Sequence, residues 1–494
     1  MSDMNKLTAG LSAIVGKDNV VTDTAVMAEY VARYHGFEQH ELPVAIVYAV
    51  TAEEVKSVID YVRDKLDCCI IPCSSDSSIK LSASSLPALG QRAVILNLSW
   101  MNKVFRVDVK NRVAFVEAGV TFAQLEQALK GTGLKMDYPL LARPDQSVIA
   151  TMLDRDPITA PLNVWDINDP LLCLEVVFGN GKVFRTGSAA GPGTLEEQWA
   201  AGVAMNNSLG PAHTDFARVL SGSQGTLGVV TWASLKLELE LSVEKILYAQ
   251  ADTVEKLAPI AWRGIRRRLG NNYIIANGFA LGNMLGHSKE EIDKIAAANE
   301  GWTIAVNMAG KRIRPEQKVE YQSNDLCEMA RAHPIRTKMT ENIPSVDNLR
   351  MKKVLTGLNE GLLWKHRYAG NALDVFFLTT LDKADRYVEI AKDAVGDFGK
   401  LAIYIQPGMQ GRYCQVELIV PYAEADKEKA LVCYQKLMAA LLDAGAFFSR
   451  PYGPCKKQIF EKAPMQVKTI GKLKKMFDDK YVLNPNRFFE EVSG

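Results

Sequence analysis

Residues 72–87 read PCSSDSSIKLSASSLP, a stretch with seven serines and no glycine. Apolar segments that read as buried strands flank it, CCIIPC before and RAVILNL after. A strand, a loop of tiny residues and another strand is a common way to hold a phosphate, because small residues let backbone N–H groups come close. Such loops are normally glycine-rich. This one offers hydroxyls from Ser74, Ser75, Ser77 and Ser78, and one carboxylate, Asp76. Other stretches carry chemistry more weakly. DRDP (154–157) has two carboxylates that could hold a cation, but a capped turn suits it better. Asp166, Asn168 and Asp169 read as a polar turn before a strand. GPCKK sets Cys455 beside two lysines, a reactive-thiol arrangement, although a buried small residue is the commoner meaning. RGIRRRLG (263–270) reads as a solvated helix face.

The elements that must position these groups alternate between strand and helix. PVAIVYAV (43–50) reads as a strand. In TAEEVKSVIDYVRDKL (51–66) a Thr N-cap stands three residues before Glu54, and Val55, Val58, Ile59 and Val62 recur at helical spacing. RAVILNL, NRVAFVEAGV, the helix TFAQLEQALKGTG and the strand-rich LLCLEVVFGNGKVFRTG follow, the last with an NGK hairpin turn. RVLSGSQGTLGVVTWASLKL closes this half. Beyond about 240 the units lengthen, as in DTVEKLAPIAWRGIRRRLG and EADKEKALVCYQKLMAALLDAG. The stretch TIGKLKKMFDDKYVLNPNRFF is a helix followed by an Asn-Pro turn, able to return to the first half.

The bulk composition frames these parts. The chain has 494 residues, 48% hydrophobic and 23% charged, with 58 basic and 57 acidic side chains and a net charge of +1. That is a globular composition long enough for two or three domains. It argues against nucleic-acid or membrane-surface binding. No apolar run approaches a membrane span, and MSDMNKLTAGLSAIVG lacks the layout of a signal peptide. The eight cysteines form no CxxC pair, so a metal site is not expected, and free thiols in a reducing cytoplasm are.

Taken in order, PVAIVYAVTAEEVKSVIDYV, the strand ending at Pro72, VILNLSWMNKVFRVD, VEAGVTFAQLEQAL, LEVVFGNGKVFRTG, GSQGTLGVVTWASLKL and FDDKYVLNPNRFF resemble the flavoprotein family of vanillyl-alcohol oxidase and p-cresol methylhydroxylase. PGTLEEQWAAGV (192–203) and AGAFFSRPYG (444–453) favour its phenol-oxidising branch. The resemblance implies an α+β fold. A two-subdomain FAD-binding domain (1–241) is joined to a cap with an antiparallel sheet covered by helices (242–455), and a tail (456–494) returns to the FAD domain.

The resemblance also implies FAD held by Pro72, Ser74, Ser75, Ser77, Ser78, Gly119, Ser147, Gly222, Ser223, Gly225, Thr226, Gly228 and Asn484. By the same resemblance, Asp166 falls where the family has an acid beside the flavin, and Arg450 where it has the arginine that stabilises a phenolate; the polar-turn reading of Asp166 stands beside this. The tyrosine usually preceding that arginine is Ser449, with Tyr452 out of register, and another family tyrosine falls at about Leu81. No histidine follows 366, so Tyr404 and Tyr413 are the candidates for a covalent flavin link, and core or surface tyrosine is the plainer account of both.

Two functions follow. In one, a 4-alkylphenol or related small alcohol gives a hydride to FAD, and electrons pass to a cytochrome or other carrier. In the other, the chain is a flavin-less structural or regulatory subunit of an active paralogue. The glycine-poor loops 72–87 and 147–166 favour the second, and Asp166 with Arg450 the first. On the second view Asp76 sits where a phosphate would be. A homo- or hetero-oligomer paired through the cap is expected in either case.

Overall fold

The structure is a computed structural model that describes residues 3–65, 67–77, 85–211, 215–485 and 487–488. Ser78 and Leu81 lie outside the described residues.

The first sheet is built on short apolar strands. Ala45–Tyr48, Ala93–Asn97 and Cys69–Cys73 run parallel in that spatial order, with Val20–Val21 antiparallel on the far side. The helix Ala52–Arg63 makes the crossover between two of these strands. Its Glu54 N–H donates to Thr51 Oγ1 at 3.1 Å, as the capping signal requires, while the Glu54 carboxylate accepts from Val50 N–H at 2.7 Å. Its buried face is Val55, Val58, Ile59 and Val62, the set read from the sequence.

Cys69–Cys73 is the outer strand, which is why it tolerates Pro72, a residue with no N–H to give. Its free edge is not left bare. Ile70 N–H donates to Val482 O and Asn484 N–H to Ile70 O, both at 2.8 Å, so the returning tail pairs with it. The tail is pinned from inside as well. Lys474, fully buried, donates to Thr226 O and Leu483 O at 2.6 Å and pairs with buried Asp478 at 2.5 Å. Asp478 in turn accepts from the N–H groups of Val482 and Leu483.

The second sheet is antiparallel, in the order Val104–Asp108, Val113–Glu117, Gly228–Lys236, Leu171–Phe178 and Val183–Arg185. The NGK segment is the hairpin turn between its last two strands, with Gly181 at φ 78°. Between the two sheets Gly119 has no room for a side chain: a Cβ there would stand 2.3 Å from Leu98 O.

The third sheet has six antiparallel strands, in the order Val243–Ala251, Trp302–Gly310, Asn272–Asn277, Ala402–Gly408, Tyr413–Tyr422 and Asn371–Thr379. Its two faces differ. Leu373, Val375, Phe377, Ile403, Ile405, Val416 and Leu418 point to a core shared with the helices Val254–Arg266, Ala384–Val395 and Lys427–Asp443. The alternate positions Asp374, Phe376, Tyr404, Gln415 and Glu417 face a cleft. Among the described residues no helix is long and apolar enough to cross a membrane.

Candidate active site

The cleft encloses about 440 Å³ and runs from the serine loop to the polar face of the third sheet. Pro72, Ser74, Ser75 and Ser77 line one end, with Ser223, Gly225 and Gly228 beside them. Gly225 sits at φ 69°, where a Cβ would also meet the Pro72 ring at 2.6 Å, so both the turn and the close approach require glycine.

The serine loop is fastened to the second loop by side chains. Ser75 Oγ accepts from Ser147 N–H at 2.8 Å, and Ser77 Oγ donates to Asp145 at 2.7 Å. Asp76 is not on the cleft wall. It pairs with Arg33 at 2.8 Å, which corrects the expectation that it fills a phosphate's place. An exposed acid with a cation to pair has no reason to enter a cleft that would desolvate it.

Several expected cofactor residues stand behind the wall rather than on it. Ser147 caps the helix Val148–Leu153 and gives its hydroxyl proton to Ala118 O at 2.6 Å. Gly119 and Gly222 shape the backbone. Thr226 and Asn484 bond to Ser223 O and Gln224 O respectively. These residues position the lining and do not form it.

Asp166 is the clearest correction. Its carboxylate pairs with Arg218 and accepts from Asn168 N–H at 3.0 Å, so it makes the polar turn and lies off the cleft. The acids of the cleft are instead Asp154 and Asp156, from DRDP, together with Glu38, Asp374 and Glu417.

Arg450 is in the cleft, as its place in FFSRPYG implied, and is buried. Its Nη1 donates to Asp156, its Nη2 to Gln415 Oε1 at 3.1 Å, and its guanidinium lies 4.1 Å from the Phe376 ring centroid. Burial opposes its charge, but the carboxylates beside it, Asp156 foremost, hold its pKa above the usual arginine range. Gln415 Nε2 donates to Glu417 at 3.0 Å, and Tyr404 O–H and Lys365 Nζ donate to the same carboxylate. Lys365 also holds Asp374, at 2.5 Å. One connected network therefore joins Asp156, Arg450, Gln415, Glu417, Lys365 and Asp374.

Two acids of this wall are shifted upward. Burial, then repulsion from Asp156, raises Asp154 to about 6, while Tyr452 hydrogen-bonds it. Burial and Glu417 raise Asp374 to about 7. His366, 5.4 Å centroid to centroid from His35, is lowered to about 4 by burial and by the cations near it, and is neutral at pH 7. The Tyr404 hydroxyl is committed to Glu417, and Tyr413 lies off the wall.

A dinucleotide-sized ligand suits this cleft, whose volume lies in the range of cofactor sites. With Asp76 turned to Arg33, the described serine loop presents hydroxyls and no carboxylate. Arg487 lines the cleft with its Nε and Nη2 buried and without a hydrogen-bond partner among the described residues, a cation ready for an anionic or carbonyl-bearing guest. Among the described residues no group of three His, Cys, Asp or Glu side chains is placed to hold a metal.

Sequence reading left several wall residues unassigned. DRDP was visible as a pair of acids, and every-second-residue polarity within a buried strand, as in QVEL, was a usable sign for Gln415 and Glu417. Nothing local marked Lys365 or Arg487, which reach the cleft only through the tertiary fold.

The family model described as an FAD binding domain matches residues 43–187. An uncharacterised FAD-linked oxidoreductase of Mycobacterium tuberculosis (strain H37Rv) is 23% identical over 99% of this chain and 100% of its own length. The flavoprotein subunit of hydroxylating 4-cresol dehydrogenase from Pseudomonas putida is 26% identical over 56% of this chain and 51% of its own. The fold of p-cresol methylhydroxylase, solved with substrate bound, superposes with a TM-score of 0.81 at 16% identity over 99% of this chain and 97% of that one. The chain thus carries an FAD binding domain, with FAD as the cofactor that domain takes, in a fold shared with p-cresol methylhydroxylase, and it is similar along its length to an FAD-linked oxidoreductase.

Proposed function

We propose that the chain oxidises a small hydroxylated substrate, a 4-alkylphenol or a related alcohol, and passes the electrons to a separate carrier protein. The observation that carries this reading is the continuity of the cleft, from the serine loop to a buried acid–base network on the polar face of the third sheet. FAD, when bound, supplies the two-electron acceptor. Asp154 is ionised above about pH 6 and takes the substrate's proton. The neutral His366 and the Phe376 ring line the same cleft. Arg487 offers free donors to an oxygen of the guest. Residues 1–241 and 456–494 make up the cofactor unit and 242–455 the cap, a division supported by the break between the second and third sheets at 239–243. Partner chains meet through the cap, where Ile313, Leu349, Val432 and Phe447 are exposed.

The test is anaerobic mixing of the purified protein with 4-alkylphenols and small alcohols. Loss of the flavin absorption bands on mixing is the expected outcome. The rival reading, a degenerate subunit of an active paralogue, is favoured by one observation: the two loops at the phosphate end bond to each other through Ser75 and Ser77. A purified chain without flavin bands, or with bands that no such substrate bleaches, would support that rival.

A further inference from the structure

The run RGIRRRLG, which reads in the sequence as a solvated helix face, is not built like one. It closes the helix Val254–Arg266. Arg266, Arg267 and Arg268 are exposed, and no lysine stands among them. Among the described residues Arg263, Arg266 and Arg268 have no ion pair, and Arg267 has one, with Asp325 at 3.2 Å. Two tryptophans share the place. The Arg266 guanidinium lies 3.7 Å from the Trp262 ring centroid, and that of Arg268 lies 5.9 Å from the Trp165 centroid. Trp262 is 41% and Trp165 62% exposed. Arg412, exposed and also without an ion pair among the described residues, follows Gly411, whose backbone packs on Ile265 of the same helix. Arginine and tryptophan are the residues that protein interfaces gather, and lysine is one they shed. Stacking on a ring holds a guanidinium still, so less entropy is lost when a carboxylate arrives. In a chain of net charge +1 this is a local concentration of cations, not the outcome of overall basicity.

The patch borders the cleft. Trp165 belongs to the segment that begins at the cleft residue Pro157, and Thr159 of that segment accepts from Asn272 Nδ2 at 2.9 Å, just beyond Arg268 in the chain. Gln410 N–H donates to Pro161 O at 2.9 Å. Arg412 ends the turn between the two strands that carry Tyr404 and Gln415 to the cleft wall, and lies about 10 Å of strand from Gln415. We propose that this arginine–tryptophan patch is the seat of an electron carrier protein with an acidic face. The proposal rests on the preceding reading for the existence of a carrier and for nothing else. The cations steer the acidic face in, and the rings supply the part of the contact that sheds water. A nucleic acid would need a basic track along its backbone, and this patch ends within one helix turn and one hairpin. Two electrons leave the flavin in each turnover, one to each of two carriers, and the accompanying protons pass to solvent.

The test uses one haem protein in two charge forms: cytochrome c with its lysines free, and the same protein succinylated to make it acidic. Calorimetric titration into the oxidised flavoprotein reads binding without any substrate. The acidic form is expected to bind and the basic form is not, and added salt is expected to weaken the complex by at least about tenfold. No binding of the acidic form overturns the proposal, and needs no variant to fold. Arg263→Glu, Arg266→Glu and Arg268→Glu together are expected to abolish binding. Trp165→Ala with Trp262→Ala leaves the charge unchanged and is expected to weaken it at least about tenfold. Lys427→Glu, Lys429→Glu and Lys436→Glu make the same change of net charge on the helix Lys427–Asp443, and are expected to leave binding intact. Equal loss from this control set overturns the proposal, as does wild-type binding by the arginine variant. Delivery is read separately, by reducing the flavin chemically without air and following reduction of the acidic haem protein. The arginine variant is expected to slow it at least about tenfold, and an unchanged rate overturns the proposal. So does a change in the mass of the arginine variant alone by light scattering, which would make the patch a contact between copies of this chain. The outcome separates from that of the functional reading: a protein that docks and reduces the acidic haem protein, but whose flavin no phenol or alcohol bleaches, keeps the surface and loses the proposed oxidation.

Discussion

Asp154 owes its raised pKa to burial and to Asp156, and two expectations follow from that value. The rate of flavin reduction should rise as pH increases through about 6 and level off above, because only the ionised carboxylate accepts a proton. Asp154→Asn should remove that step and lower the rate by about 10²–10⁴-fold, read by rapid mixing across pH. The stability effect has the opposite slope. A raised folded pKa means the native state binds the extra proton between the ordinary aspartate range and about 6, so stability falls as pH rises across that window. The Asn variant should flatten this part of the melting curve against pH. At this scale the sequence was partly readable. The fold brings Arg450 to the cleft wall, where its neighbours in FFSRPYG pointed, whereas Asp166 lies off it, because a position along the chain does not fix the direction of a loop. Arg218 offered Asp166 a partner from the helix Phe216–Leu220, and that contact spans a separation no local pattern reveals.

The helix Pro464–Phe477 illustrates how an element can matter through one side chain. Lys474 and Asp478 are wholly buried, and between them they satisfy Thr226 O, Leu483 O and the N–H groups of Val482 and Leu483. Lys474→Met keeps the length and apolar stem but leaves Asp478 charged and enclosed. Breaking a buried pair on one side typically costs about 3–5 kcal/mol. The variant should therefore melt well below the wild type, and should shed FAD before it unfolds globally, since Thr226 and Asn484 sit directly behind the cleft wall. Retention of wild-type melting and flavin content would show that the pair is dispensable. Elements of this kind were legible in outline. The Thr51–Glu54 capping signal, amphipathic spacing and the NGK turn gave a helix and a hairpin their places because those signals are local. The polar face of the third sheet was not seen as a face, since its residues come from strands joined only by register: Phe376 opposite Glu417, and Tyr404 opposite Glu417 on the other side.

On the scale of the whole molecule, the nearly balanced charge leaves little repulsion between copies, and Ile313, Leu349, Val432 and Phe447 stand exposed beyond the third sheet's core. Light scattering at micromolar concentration should give a mass above 54.5 kDa, and a particle of that mass alone would refute association through the cap. The overall architecture was readable because strand–helix alternation and an Asn-Pro tail constrain topology strongly. The strand Cys69–Cys73 nevertheless depends on residues 482–484 for its outer hydrogen bonds. On the ribosome that strand emerges long before its partner does. Throughout that interval the growing polypeptide carries an open, apolar strand edge, a natural client for a chaperone and a site for mispairing between neighbouring nascent chains. The first sheet is then completed late in biogenesis, when the returning segment arrives and pairs with Cys69–Cys73.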